Sequence, residues 1–342
     1  MLYDQALIAR TLADAWRVTG TEAYRQAARD TLDYVLGRMS SPDGGFYSAE
    51  DADTQGVEGK TYSWTRSEIL DVLGKERGER FADFHGASDE GNFEEGGRGA
   101  NVLHIALEGG VEALAQRLGR PAAEVAAELA ADRAKLLAVR DRRPQPFRDD
   151  KVLVEWNGLA ISALSQVYQV TGEAKYIEGA RRAAAFILER MTREGRLLRR
   201  FRLGEAAVDA FLEDHAALAE GLLDLYEAGF EARWLEEAVR LGKEMIRLFW
   251  DEKRGAFLSS GGHHETLIVP TVEFYDGAVP SGNSIAFLCL LRLAELTGDE
   301  VFRKASARMV VMVCTMGLGR TYVKSEGAPE ALSRHGTEFL VR

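Results

Sequence analysis

The densest set of chemistry-bearing residues is Gly44-Gly45-Phe46-Tyr47-Ser48-Ala49-Glu50-Asp51-Ala52-Asp53, with three carboxylates in four positions beside two aromatics and a glycine turn. Carboxylates at this density can hold sugar hydroxyls and supply a proton donor or acceptor. A solvated acidic loop that caps the next element has the same composition. Asp149-Asp150-Lys151 followed by Trp156-Asn157-Gly158 forms a second set. It offers an ion pair or charged anchor, a ring on which a sugar can stack, and an amide at a helix start. Glu213-Asp214-His215 forms a third, where Asp214 reads equally as a helix cap. Asp276-Gly277-Ala278-Val279-Pro280-Ser281-Gly282-Asn283 is the fourth, with backbone flexible enough to approach a ligand closely.

Glycoside hydrolysis needs two carboxylates, one acting as acid and the other as base or nucleophile. The candidate catalytic residues are Asp53 with Asp150 or Asp214. Tyr47, Trp64 and Trp156 are the stacking surfaces. Glu50, Asp51, Lys151, Asn157, His215, Asp276, Ser281 and Asn283 are the polar ligand contacts. A separation of roughly 6.5–9.5 Å suits inversion and about 5 Å retention. A sugar 2-epimerase needs a base on each face of the ring, commonly His, and His215 is the single histidine in these motifs. His104 reads as a packed or surface helix position, and His263 and His264 as loop residues. A Ser281–His215–Asp214 triad has no support in spacing, and no Gly-x-Ser-x-Gly elbow occurs. A non-catalytic module is the alternative, in which the same polar residues are caps and ligand contacts.

These motifs recur at fixed places in a repeat. Gln5, Asn157, Asp214 and Asn283 each precede a glycine (Gly20, Gly172, Gly229, Gly298) by 15 positions, about four helical turns. The glycine suits a helix C-terminus that needs positive φ, and the polar residue suits the N-cap. Each segment between them is nearly all apolar or small, as in Leu159-Ala160-Ile161-Ser162-Ala163-Leu164, and so reads as an inner helix. A second, amphipathic helix follows each glycine and reads as outer. The fold class is therefore all-α, an (α/α) toroid of helical hairpins with the inner helices parallel and their N-terminal motifs converging at one mouth.

Between the first and second hairpins, Thr65-Arg66-Ser67-Glu68 has a capping box. Residues 85–100 read as a loop, and 114–118 and 121–139 as helices. The basic cluster from Arg193 to Arg202 reads as a solvated hairpin turn. Hairpin periodicity fades after Val313, giving a toroid domain over 1–313 and an atypical tail over 314–342.

Composition narrows the partners. The net charge of −11 argues against nucleic acid, and no apolar run reaches the roughly 18 residues of a membrane span. Cys289 and Cys314 lie in apolar helical patterns without CxxC or Cys/His ligand spacing. The reading is a cytoplasmic protein with no metal. Rossmann and P-loop glycine patterns are missing, so no cofactor is expected.

Met1-Leu2-Tyr3-Asp4-Gln5-Ala6, the Gly44–Asp53 run, Glu58-Gly59, Asn101-Val102-Leu103-His104, Asp149-Asp150-Lys151, Trp156-Asn157-Gly158-Leu159 and Pro280-Ser281-Gly282-Asn283-Ser284 occur in this order. Together they resemble the helical region of the thioredoxin-domain-containing, spermatogenesis-associated-protein-20-like family, over residues 1 to about 313. The resemblance implies a six-hairpin-glycosidase-like toroid, related in fold to N-acylglucosamine 2-epimerases and preceded in the family by a thioredoxin-like domain. It implies a carbohydrate or small polar ligand and a thioredoxin-like domain as partner. It also implies an aromatic where this chain has His215. A toroid lacking helices at both ends would expose apolar edges and self-associate.

Overall fold

The computed structural model describes residues 1–265 and 269–319, with side chains to 312. Among the described residues it holds twelve helices: α1 (Leu2–Thr19), α2 (Glu22–Arg38), α3 (Arg66–Leu73), α4 (Lys75–Phe84), α5 (Gly110–Leu118), α6 (Ala122–Arg140), α7 (Val154–Thr171), α8 (Ala174–Arg190), α9 (Leu212–Gly229), α10 (Ala232–Phe249), α11 (Gly282–Thr297) and α12 (Glu300–Gly319). They fall into two compact units, Met1–Ala49 with Asp150–Arg342, and Glu50–Asp149. The side chain of Cys314, and the expected tail beyond Gly319, lie outside the described residues.

The discontinuous unit contains all four predicted hairpins. The inner helices α1, α7, α9 and α11 pack in that order, and α2, α8, α10 and α12 each pack on the inner helix that precedes them. The pattern explains the layering. α9 buries Leu212, Ala216, Leu218, Ala219, Leu222 and Leu225 around its whole circumference. The large apolar residues that α10 buries, Trp234, Leu241, Met245 and Phe249 with Ala238, form one stripe spaced three or four apart.

α7 and α9 approach until their backbones touch. A Cβ added to Gly158 would lie 2.4 Å from the Ala217 carbonyl carbon, and one on Gly221 would lie 2.4 Å from the Gly158 carbonyl oxygen. Three predicted glycine C-caps are present, Gly20 (φ 67°), Gly172 (φ 71°) and Gly298 (φ 68°). The fourth is displaced by one. Phe230 takes the left-handed conformation at φ 54°. Gly229 stays helical, and a Cβ there would come to 3.0 Å from Ile177.

A small sheet interrupts the helices where a solvated basic turn was expected. The central strand Arg196–Arg202 pairs antiparallel with Thr192–Arg193, Glu205–Asp209 and Val152–Leu153. Leu197, Leu198 and Phe201 are buried, and their burial holds the strand against the helices. The arginines between them become positioned side chains.

The second unit pairs α3 with α4 and α5 with α6, with α3 also packing on α6. Its own core includes Trp64, Ile69, Phe81, Phe84, Leu114, Leu129 and Leu136. Thr65 caps α3 in a capping box with Glu68. As expected, residues 85–100 contain no helix, but the helical placement of His104 is wrong. Asn92 holds that segment extended, accepting from the Val102 N–H at 2.8 Å and donating to the Val102 carbonyl at 3.1 Å.

Candidate functional site at the start of the inner helices

The N-termini of α7 and α9 bring three carboxylates around one guanidinium. Arg199, from the central strand, is 2.9 Å from Glu213, 2.9 Å from Asp214 and 3.9 Å from Glu155. Asp214 is fully buried. One of its oxygens accepts the Glu155 N–H at 3.2 Å, and the other accepts the Phe211 N–H at 3.0 Å and Arg199. It therefore ties the first turn of α7 to that of α9. Burial raises its pKa to about 6, with Arg199 opposing the rise and Glu213 adding to it.

Glu155 differs from its neighbours. Its carboxylate sits in the first turn of α7 with 12% of the side chain exposed, and the distant Arg199 is its cation. Burial, followed by the charges of Asp214 and Glu213, raises its pKa to about 7 against the pull of Arg199. Such a group can be an acid or a base near neutrality. Sequence reading passed over both Glu155 and Arg199. The signal was present: Gly195 and Gly204 bracket a run that mixes apolar residues with arginines, as a strand does.

The predicted residues around this cluster are mostly engaged in holding the backbone. Asn157 is fully buried. Its Oδ1 accepts the Phe46 N–H at 2.7 Å, and its Nδ2 donates to the carbonyls of Phe46 and Leu153, both at 2.9 Å. Asn283 repeats the device, accepting the Phe257 N–H and donating to the Phe257 carbonyl at 2.9 Å, and to the Glu273 carbonyl at 3.0 Å. At Asn157 and Asn283 the repeated polar residue is thus a clamp on the preceding turn and not the expected N-cap, whereas Asp214 does serve the cap of α9 by accepting the N–H of the N-cap residue Phe211. The N-cap residues are Leu153 and Phe211 in α7 and α9, and Ser281 in α11. Ser281 caps through its hydroxyl, which accepts the Ser284 N–H at 3.2 Å.

Asp150 is paired with Arg202 at 2.5 Å, and Lys151 beside it is partly buried. Asp276 accepts the Ser281 N–H at 2.8 Å and the Ser284 hydroxyl at 3.1 Å. Burial opposes its charge, but these hydrogen bonds outweigh that and keep its pKa low. Trp156 is half-buried and meets Tyr3 of α1 edge-on, with centroids 4.8 Å apart. Tyr47 packs against the same core. His215 faces α10, its Nδ1 donating to the Phe211 carbonyl at 2.9 Å, and burial lowers its pKa to about 4. That bond makes Nε2 the unprotonated nitrogen.

Glu50, Asp51, Asp53 and Trp64 belong to the second unit. Glu50 accepts the Tyr62 hydroxyl at 2.8 Å. Asp51 accepts the Asp53 N–H at 3.3 Å, and both side chains are exposed. Trp64 is buried under Arg143, whose guanidinium lies 3.9 Å from the ring centroid.

One turn and more along the inner helices lies a second polar layer that sequence reading missed. Arg10 of α1 makes a two-bond pair with Glu220 of α9, both at 3.0 Å. Arg292 of α11 reaches Asp224 at 2.6 Å and Glu227 at 3.0 Å, and Ser162 of α7 donates to Asp224. This layer binds all four inner helices together.

No protein-family model matches the chain. Human spermatogenesis-associated protein 20 is 34% identical over 332 residues, which covers 88% of the chain and 42% of the relative. The rat protein of the same name is 35% identical with the same coverage. The chain belongs to this family. It spans less than half the length of the curated relatives it matches. Among solved structures, a D-mannose isomerase is similar with a TM-score of 0.42 and 14% identity, covering 91% of this chain and 74% of that one. A sugar epimerase from a ruminal bacterium has a TM-score of 0.43 and 13% identity, covering 87% and 70%. A family 105 glycoside hydrolase of C. acetobutylicum has a TM-score of 0.43 and 11% identity, covering 91% and 76%.

Proposed function

We propose that this family member is a binding module for a carbohydrate or a comparable small polar ligand, with its site at the start of α7 and α9. In this reading Asp150 and Asp214 are not a hydrolytic pair. The observation that carries it is their engagement: Asp214 is held by two backbone N–H groups and Arg199, and Asp150 is paired with Arg202. A carboxylate held this way must break a charge-assisted bond before it can act as nucleophile or base. Trp156, the residue after Glu155, meets Tyr3 edge-on, and such ring surface is what small-ligand sites use for their apolar face. Asp53, the third predicted catalytic residue, is an exposed carboxylate in a two-residue strand of the second unit, paired with Glu58, and has no part in this site. A thioredoxin-like domain, implied by the family resemblance, is the proposed partner of such a module.

Glu155 favours a second reading, a carbohydrate-processing enzyme of hydrolase type with Glu155 as its proton donor. Its raised pKa would keep it protonated up to about 7. An epimerase would need a basic histidine, and His215 is buried behind the inner-helix surface.

The test is calorimetric titration with a panel of mono- and oligosaccharides, with the same mixtures followed by chromatography for product. The module reading expects saturable binding without turnover in the wild type. Turnover lost in Asp150→Asn would overturn it in favour of a carboxylate pair, and turnover lost in Glu155→Gln alone would establish the second reading.

A further inference from the structure

The second unit contains a cavity of about 240 Å³ that the site on α7 and α9 does not use. Lys60, Arg98 and Arg143 line it, together with the hydroxyls of Thr54 and Thr61, and Glu68 is its one lining acid. Three cations against one anion make a positive pocket in a protein whose net charge is −11. Long-range repulsion from the rest of the surface works against anions, so a local excess of this kind has to be built.

Arg143 shows how it is built. Its guanidinium lies over Trp64, 3.9 Å from the ring centroid. One terminal nitrogen donates to the carbonyls of Thr61 at 3.0 Å and Ser63 at 2.7 Å, and the other donates to Glu68 at 3.2 Å. Of its five N–H groups, three are spent in fixing the side chain, and two remain for a ligand. Lys60 gives one proton to Gln55 at 2.9 Å and keeps two. Arg98 is exposed and makes no hydrogen bond or ion pair among the described residues. The hydroxyls are ordered as well. Thr61 donates to the Pro144 carbonyl at 2.8 Å, so Thr54 must be the donor in its 2.7 Å contact with Thr61. The oxygen of Thr54 is left to accept a hydroxyl hydrogen from a ligand.

From these donors we infer that the cavity binds a small oxyanion-bearing ligand, a phosphorylated or carboxylated sugar or a molecule of similar size, through Arg98, Lys60 and the free edge of Arg143. A planar guanidinium fixed at its far edge offers parallel donors to phosphate or carboxylate oxygens. The volume is below that of drug-sized pockets, which restricts the ligand to about one ring. The inference stands independently of the site on α7 and α9.

Titration calorimetry of the full chain with glucose 6-phosphate, inorganic phosphate, glucuronate and glucose tests it, in the wild type and in Arg98→Glu and Lys60→Glu. Both substituted residues are exposed, and circular dichroism melts check that both variants fold. The expected result is saturable binding of glucose 6-phosphate or glucuronate, weakened about tenfold or more by each variant and weakened by added salt, with glucose silent. Heat from inorganic phosphate equal to that from the sugar acids assigns recognition to the oxyanion alone. Wild-type binding of none of the charged probes, binding that neither variant changes, or glucose binding as tight as glucose 6-phosphate would overturn the inference.

Discussion

Glu155 carries the sharpest consequence at the scale of single residues. Its folded pKa of about 7 lies above the ordinary 4.5, and that of Asp214, about 6, lies above 3.8. An acid whose pKa is raised on folding binds more protons in the native state, so its contribution to stability falls as pH rises between the unfolded and folded values. The window here is about pH 4 to 7. Replacing Glu155 with Gln keeps the shape and removes the buried charge. Glu155→Gln is therefore expected to be more stable than the wild type at pH 8 by on the order of 2–3 kcal/mol, with the difference shrinking to near zero by pH 4. Denaturant titrations of both proteins at four pH values measure this. A constant difference across the range would mean that Glu155 is not protonated by burial. The residue was not legible as special in the sequence, because its environment is made by Asp214 and Glu213 from another helix and by Arg199 from a strand that was read as a loop. By contrast Asn157, Asp214 and Asn283 were legible as a set through their spacing. The role of Asn157 and Asn283 was misassigned because a clamp onto Phe46 or Phe257 depends on a turn that local sequence does not place.

Among the helices, the contact of α7 with α9 is set by glycine. A methyl at Gly158 would overlap the backbone at Ala217, and backbone cannot give way as a flexible side chain does. Gly158→Ala is expected to cost about 2–3 kcal/mol by forcing the two helices apart, and with them the ties from Asp214. Gly37 is the matched control: it lies on the exposed side of α2, with nothing within 4 Å of an added Cβ. Gly37→Ala is expected to stabilise by about 0.5–1 kcal/mol through helix propensity. Equal effects of the two substitutions in urea melts would refute close approach as the reason for Gly158. Inner and outer helices were readable from periodicity, since burial follows the apolar stripe. The strand Arg196–Arg202 was not, because four of its seven positions are arginines that look solvated until Leu153 and Ala207 are brought beside it. Phe230 shows the same limit at a helix end. Gly229 was the natural cap by composition, but it stays helical beside Ile177 and Phe230 takes the left-handed position.

For the molecule as a whole, the separate cores matter most. One is assembled from residues 1–49 and from residues after 150, and it cannot close until distant parts of the chain meet; the other is continuous. Continuous units have the lower loop-closure cost and fold on local contacts first. Calorimetry of the full chain should accordingly resolve two transitions, each answering to its own substitution. Asp224→Ala strips Arg292 and Ser162 of their buried partner. Breaking a buried pair costs about 3–5 kcal/mol, and Glu227 softens this to about 2–3 here because it remains 3.0 Å from Arg292. The substitution should lower only the transition of the discontinuous unit. Ile69→Ala empties a fully buried site in the core of the continuous unit, at a cost of about 2–5 kcal/mol, and should lower only the other transition. If both substitutions shift a single transition, the two cores unfold as one cooperative body, and ligand binding in the second unit would then stabilise the inner helices as well.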